Sequence, residues 1–430
     1  IVDLVDAKPT PVFSLSPNGD WALLLQRPSY PSIEELARPE LRIGGLRIDP
    51  ATNGPSRSTG VVSIDILELE KKEAKAVEGL PEGASLENFQ WSPNGNYAAF
   101  THTTRSGLEL WILNVPERRA RKIQGLSVNA AMRGAPIEWF PDSQRLLVKG
   151  MQADRGEAPA AKDAVPLPVI QQSSGVEAPV RTYQDLLSNP YETELFDYYT
   201  QTQLYLCDIA TDEVQAFGEA SSITGFSVSP DGKYLLLTQL KKPYSYLVPY
   251  YLFPQDISVY DASTGELVRQ IADLPLAENI PTGFDAVRAG PRYVSWRSDR
   301  PASVYWVEAL DEGDPRMEVT NRDQMFHLDA PFSGTPQKSI ALTYRFAGVD
   351  WHSDELAVVR ERWRATRMNI ESFWSPGKGA GSKVVFHKGS SEDRYNDPGS
   401  FVTSSNDAGH RILLTDKSGN LFLEGQGASP

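Results

Sequence analysis

The sequence predicts an all-β chain, a β-propeller of about seven blades with four antiparallel strands in each. Three observations carry that prediction. Nine Trp and seventeen Tyr are spread through 430 residues, and flat, stiff rings suit a pleated surface better than a helix. Gly and Pro number 32 each, so turns are frequent and strands short. One turn motif also recurs along the chain, each time between two apolar runs.

The motif is Ser-Pro-Asx-Gly. Clean copies are Phe13-Ser-Leu-Ser-Pro-Asn-Gly-Asp20, Phe89-Gln-Trp-Ser-Pro-Asn-Gly-Asn96 and Phe226-Ser-Val-Ser-Pro-Asp-Gly-Lys233, each leading into a second apolar run. Degenerate copies follow at 137–148, 294–307, 349–359 and 402–414, which makes seven. Pro presets φ at the first turn position, Asx bonds its own backbone, and Gly accepts the positive φ that closes a tight hairpin. Third and fourth strands are expected at 108–113, 203–209, 257–260 and 266–271. Four antiparallel strands repeated at roughly 50–90 residues describe a propeller blade with variable loops.

The chain reads as one propeller domain, 1–430, with two long insertions. Residues 27–60 interrupt the first blade and are rich in Pro, Gly and Arg. Residues 151–200 begin with an extended Ala/Pro-rich stretch, 158–168, and end in a helix-like segment, 183–199, that docks through Phe196, Tyr198 and Tyr199. Loops of this length in a compact fold are functional or disordered. After residues 402–414 too little remains for four strands, so the last blade is expected to be incomplete. Either the first residues complete it or the protein continues past Pro430, and the second is the expectation.

Charge and composition exclude several functions. A net charge of −14 repels a phosphate backbone, so nucleic acid is not an expected partner. Any site for an acidic group must be a local basic pocket. No apolar run reaches the ~18 residues of a membrane span. The five His are scattered and the single Cys207 sits in a strand-like run, so neither a metal, a cofactor nor a cysteine nucleophile is expected. A serine nucleophile on a sharp strand–turn–helix elbow needs Gly two residues to either side. No Ser meets this; Ser58 and Ser227 are half-matches in loop and strand contexts. Gly377-Lys-Gly-Ala-Gly381 is a turn between strands, not a phosphate loop.

Three basic clusters remain: Arg38, Arg42, Arg47 and Arg57 in the first insertion; Arg118, Arg119, Arg121 and Lys122 at an expected turn; and Arg360, Arg362, Arg364 and Arg367 after a strand. Alternation along an extended segment puts Arg360, Arg362 and Arg364 on one face. Most surface charge runs are solvated only, and the first cluster stands out because it lies on a long loop.

Several irregular strings resemble the glutamyl endopeptidases of the prolyl oligopeptidase family, known from bacteria and plant chloroplasts. They include Ala37-Arg-Pro-Glu-Leu-Arg-Ile-Gly-Gly-Leu-Arg-Ile48, Arg181-Thr-Tyr-Gln-Asp-Leu-Leu187, Pro243-Tyr-Ser-Tyr-Leu-Val-Pro249 and Ser391-Glu-Asp-Arg-Tyr-Asn-Asp-Pro398. The resemblance runs through the whole chain. It implies a propeller capping a C-terminal α/β-hydrolase domain whose Ser-Asp-His triad cuts peptides after Glu. No triad residue can be placed here, so these 430 residues are expected to be inactive alone. Their implied partners are peptide substrates and that hydrolase domain. The substrate's acidic side chain wants an Arg partner, and Arg42 and Arg47 are the candidates. The Arg360–Arg367 stretch is less continuously basic than the family pattern. An extracytoplasmic home would suit a bacterial protein, and the chloroplast stroma a plant one. The rival reading is a stand-alone propeller that binds a protein or peptide without catalysis. A polar or metal site in the central channel is a third.

Overall fold

The computed structural model of the chain describes residues 8–160 and 182–427; most of the 158–168 stretch therefore lies outside the described residues. The chain is all-β, and its strands group into successive four-stranded antiparallel units. Unit 1 is Val12–Leu15, Trp21–Gln26, Ser63–Glu68 and Glu73–Ala76, in that order across the sheet. Unit 2 is Leu86–Trp91, Tyr97–Thr103, Leu108–Asn114 and Arg119–Lys122. Units 3 and 4 share one long strand, Val214–Val228. Its first part is the outer strand beside Gln201–Asp208, and its second part is the inner strand beside Tyr234–Leu240. Unit 5 spans Arg292–Trp296 to Gln337–Leu342, and unit 6 spans Arg345–Ser353 to Val384–Ser390. The last repeat forms two two-stranded pieces instead, Ser400–Phe401 with Leu423–Glu424 and Thr403–Ser405 with Arg411–Leu413.

The clean turns show why Ser-Pro-Asx-Gly recurs. In unit 4 the Ser229 hydroxyl donates to Asp231 at 2.6 Å and accepts the Tyr234 N–H at 3.0 Å. Asp231 accepts the Lys233 N–H, and Gly232 closes the turn at φ +72°. Ser16/Asn18 and Ser92/Asn94 repeat this pattern. In unit 3, where Gly is absent, Ser143 takes the left-handed position at φ +59° and its hydroxyl accepts the Asn94 N–H of the neighbouring turn.

The second strand of each unit is buried on both faces, which explains the continuous apolar runs in the sequence. Ala98 and Phe100 pack towards unit 1 while Ala99 packs towards unit 3. Leu235 and Leu237 face unit 3, and Leu236 faces unit 5. Buried clusters thus lie between consecutive units, ending with Val358, Phe401 and Leu413 between unit 6 and the last repeat. Among the described residues no such cluster joins the last repeat to unit 1. There Val12, Phe13 and Leu15 stay 44 %, 54 % and 52 % exposed. The turn of the last repeat instead reaches across to two others. Asn406 Nδ2 donates to Ser298 O of unit 5 at 2.8 Å, and a Cβ on Gly409 would stand 2.9 Å from Pro93 of unit 2.

Candidate functional site

Every Ser-Pro-Asx-Gly-type turn joins a first strand to a second, so these turns share one face of the molecule. Connections from second to third strand must then emerge on the opposite face. That is where the long ones lie: residues 27–62 in unit 1, 151–200 in unit 3 and 241–254 in unit 4.

These connections build a cap with its own core. Ile43, Leu46 and Ile48 from the first meet Leu187, Leu195 and Phe196 from the second and Val248, Tyr250 and Phe253 from the third. Met132, on the linker between units 2 and 3, joins them. The helix in the second connection is Pro190–Thr200, with Asn189 capping it and Pro at its start. Leu195, Phe196 and Tyr199 are its buried face, while Tyr198 is half-buried. Its C-terminal carbonyls are taken by two asparagines: Asn53 and Asn129 both donate to Tyr199 O at 3.1 Å.

In the first connection, strands Leu41–Ile43 and Leu46–Asp49 form a hairpin through Gly44 and Gly45, at φ +60° and +85°. Two positive φ values in a two-residue loop demand glycine, and so does the space. A Cβ on Gly44 would lie 2.6 Å from the Phe196 ring, and one on Gly45 2.6 Å from Pro249.

This hairpin brings Arg42 and Arg47 together. They are register partners, so their side chains emerge next to each other on one face. Each leans on a carboxylate, Arg42 Nε on Glu40 at 2.6 Å and Arg47 Nε on Asp185 at 2.7 Å. The bond to Asp185 raises the Arg47 pKa above its ordinary value. Arg47 lines a cleft of about 500 Å3 with Arg133, Tyr183, Asp185, Pro249 and Tyr251. Sequence reading missed Arg133, which is a single arginine in a linker, outside every basic cluster.

A larger cleft, about 670 Å3, lies between the first connection and the edge of unit 2. Its arginines are paired: Arg38 with Asp49, Arg57 with Glu40 and Arg105 with Glu34. Burial pushes the Glu87 carboxyl up, against the Ser58 hydroxyl that pulls it down. Burial also pushes His102 down.

Of the other basic clusters, Arg119 and Arg121 line a small cleft of about 220 Å3 with Glu117 and Asn114. Arg118 lies in the expected turn, whereas Arg119–Lys122 is the outer strand of unit 2, paired along Trp111–Asn114, with Arg121 reaching Asp212 and Lys122 reaching Glu109. Arg360 is tied to Asp350, Arg367 to Glu392, and Arg364 lies over Phe284. Cys207 is buried and its thiol is pushed up to about 12. Ser58 lies in a loop and Ser227 inside the strand Val214–Val228, away from any strand-to-helix elbow. Among the described residues no helix is long and apolar enough to cross a membrane.

The arrangement is that of a repeat-built β protein with one regular face and one capped, charged face. No protein-family profile matches the chain. Two curated proteins match it along its whole length. Both are named probable glutamyl endopeptidase, chloroplastic: one from Oryza sativa subsp. japonica at 37 % identity and one from Arabidopsis thaliana at 36 %. The chain spans 47 % and 46 % of their lengths, about half. The chain is thus similar, along its whole length, to about half of each of these proteins. Similar solved structures include the β-propeller domain of the Trilobed protease from Pyrococcus furiosus (12 % identity, 89 % of this chain and 85 % of that one, TM-score 0.43). An acylaminoacyl peptidase from Pyrococcus horikoshii is also similar (14 %, 86 % and 45 %, TM-score 0.42).

Proposed function

We propose that the chain is the β-propeller part of a serine endopeptidase of the prolyl oligopeptidase family, cutting peptides after Glu. The observation that supports this most is 37 % identity along the entire chain to a probable glutamyl endopeptidase about twice as long. In this reading residues 1–430 form one propeller domain with insertions at 27–60 and 151–200. Six four-stranded units and the last repeat are its seven blades. The capped face is the one that meets the hydrolase domain. The first strand starts and the last strand ends on that face, because Val12–Leu15 runs towards its turn and Leu423–Glu424 pairs back against Ser400–Phe401.

The hydrolase domain supplies serine, histidine and aspartate. The propeller supplies a roof that admits flexible peptides, turns away folded proteins and keeps bulk water from the reacting bond. Arg42 and Arg47 stand at the mouth, and their guanidinium forks suit the carboxylate of a Glu side chain. Without the other domain the chain has no nucleophile to offer and is inactive.

The test is fluorophosphonate labelling in the native source, followed by paired Glu and Gln peptides offered to the labelled species. Label on a protein well above 47.6 kDa that shares this chain's peptides, with cleavage of the Glu peptide alone, supports the proposal. An unlabelled species of the chain's own mass sinks it and leaves a propeller that binds without chemistry.

A further inference from the structure

We infer that the cleft between the hairpin and the linker from unit 2 to unit 3 is a carboxylate-binding site. Arg133 and Arg47 are its two arms, and Asp185 is a built-in occupant that an acidic peptide side chain displaces. The inference deepens the reading of the capped face as the substrate side and rests on it for the identity of the ligand.

The charges point to an anion. Among the described residues two guanidiniums and a single carboxylate, Asp185, line the cleft, one net positive charge in a chain of net −14. Arg47 is committed to Asp185 at 2.7 Å, whereas Arg133 is exposed and has no ion pair among the described residues. A ligand carboxylate entering here meets a cation already placed, and takes a second by displacing Asp185. Guanidinium forks bind carboxylates through two parallel N–H donors, which adds geometric selectivity to the charge attraction.

The cleft is held rigid where precision matters. Asp185 sits in the left-handed region at φ +59°, and its carbonyl accepts the Gly45 N–H at 2.7 Å. The backbone beside Arg47 is thereby pinned, and the Asp185 side chain, 15 % exposed, is held by Arg47. Arg133 follows Met132, which is buried in the cap core, and precedes Gly134 at φ +99°. Its position is thus fixed by packing on one side and a forced turn on the other. The remaining walls, Tyr183, Pro249 and Tyr251, offer apolar area to the methylenes of a Glu side chain.

The experiment uses the 430-residue chain and two capped hexapeptides that differ only in a central Glu or Gln, with affinity read by calorimetry at low salt. The Glu peptide is expected to bind at least about ten-fold tighter, the range of one hydrogen-bonded charge pair. Arg133→Gln should bring that ratio to within about two-fold with an unchanged melting temperature. Asp185→Asn should tighten the Glu peptide several-fold, since the internal competitor loses its charge while Asn keeps the left-handed backbone. A merely structural Asp185 would weaken binding when changed. An undiminished ratio in Arg133→Gln, weaker binding in Asp185→Asn, or no binding of either peptide overturns the inference. Each of these is independent of whether the native protein takes a fluorophosphonate label.

Discussion

The two faces of the molecule solve the same connection problem in opposite ways. On the turn face one device recurs, and each copy closes by its own hydrogen bonds within five residues, as Ser16, Ser92 and Ser229 show. On the capped face the connections differ in length, and the three long ones bury their apolar side chains against one another. Units 5 and 6 are latched on both faces, which isolates the difference. On the capped side Asp323, fully buried, accepts Arg292 at 2.7 Å, Arg345 at 3.0 Å and the Phe346 N–H at 2.8 Å. Asp311 accepts Arg322 and Arg345 beside it. On the turn side Asp354 takes Arg297 and Arg300, with its side chain 37 % exposed. Between units 5 and 6 the capped-side latch is thus the deeper of the two, while on the turn side the buried pair, Arg297 with Asp299, lies within unit 5.

Breaking the latches tests this most severely. Asp323→Ala strands the buried Arg292 guanidinium and the Phe346 N–H and leaves Arg345 with Asp311 alone, and an effect of about 3–5 kcal/mol on chemical denaturation is expected. Asp354→Ala should cost about 1 kcal/mol or less, because water screens the exposed pair. Equal losses would erase the distinction between the faces.

Next in size is the cap core. Phe196 is fully buried against Gly44, Tyr244 and Phe253, and Phe196→Ala should cost about 3–5 kcal/mol. The loss should be local. The Gly45 and Tyr250 amides, bonded to Asp185 O and Gly44 O, should lose hydrogen-exchange protection while those of Tyr234–Leu240 keep theirs. Uniform loss would mean that the cap and sheets unfold as one unit.

What could be read from the sequence divides along the same line. The turn face was legible because its determinants are consecutive: Ser, Pro, Asx and Gly act on one another within a few residues. Even the positive φ of Ser143 fits the position that Gly holds elsewhere. The double burial of second strands was legible too, as unbroken apolar runs. The cap was legible only as a pair of long insertions and a docked helix. Arg42 and Arg47 were singled out by their loop, and the Gly44-Gly45 turn explains why they are register partners. Arg133 was invisible, because what places it in a cleft with Arg47 is tertiary packing between distant parts of the sequence. Of the basic cluster expected at a turn, Arg118 lies in one, while Arg119–Lys122 is an outer strand, because the partner that makes it one is the backbone of Trp111–Asn114.

Between the faces, in the layer joining units 3 and 4, two buried ionisable groups set a pH dependence. Glu138 accepts the Val228 N–H at 2.9 Å, and burial raises its pKa from 4.5 to about 8. Lys149, over the Phe226 ring, is lowered from 10.5 to about 8 by burial. Between pH 4.5 and 8 the folded state holds the Glu138 proton that the unfolded state has lost, so stability falls as pH rises. Between pH 8 and 10.5 the unfolded state holds the Lys149 proton that the folded state has lost, so stability rises again. These groups therefore contribute a minimum near pH 8, visible as a dip in melting temperature. Glu138→Gln should flatten the acid limb and Lys149→Met the alkaline limb. A single variant that removed both limbs would show that the groups titrate as one pair.

The smallest effect tests modularity. Ser229→Ala removes a hydroxyl that bridges Asp231 and the Tyr234 N–H, and a loss of about 1 kcal/mol is expected. Ser16→Ala and Ser92→Ala should cost about the same, because their bonding is the same. If each turn closes on its own, the three losses add in the triple variant. In the cap the opposite holds: Gly44→Ala and Phe196→Ala act on one contact, so the second should cost less once the first is made. Non-additive turns would mean that the neighbour contacts seen at Ser143 and Gly95 couple the repeated face as tightly as the cap.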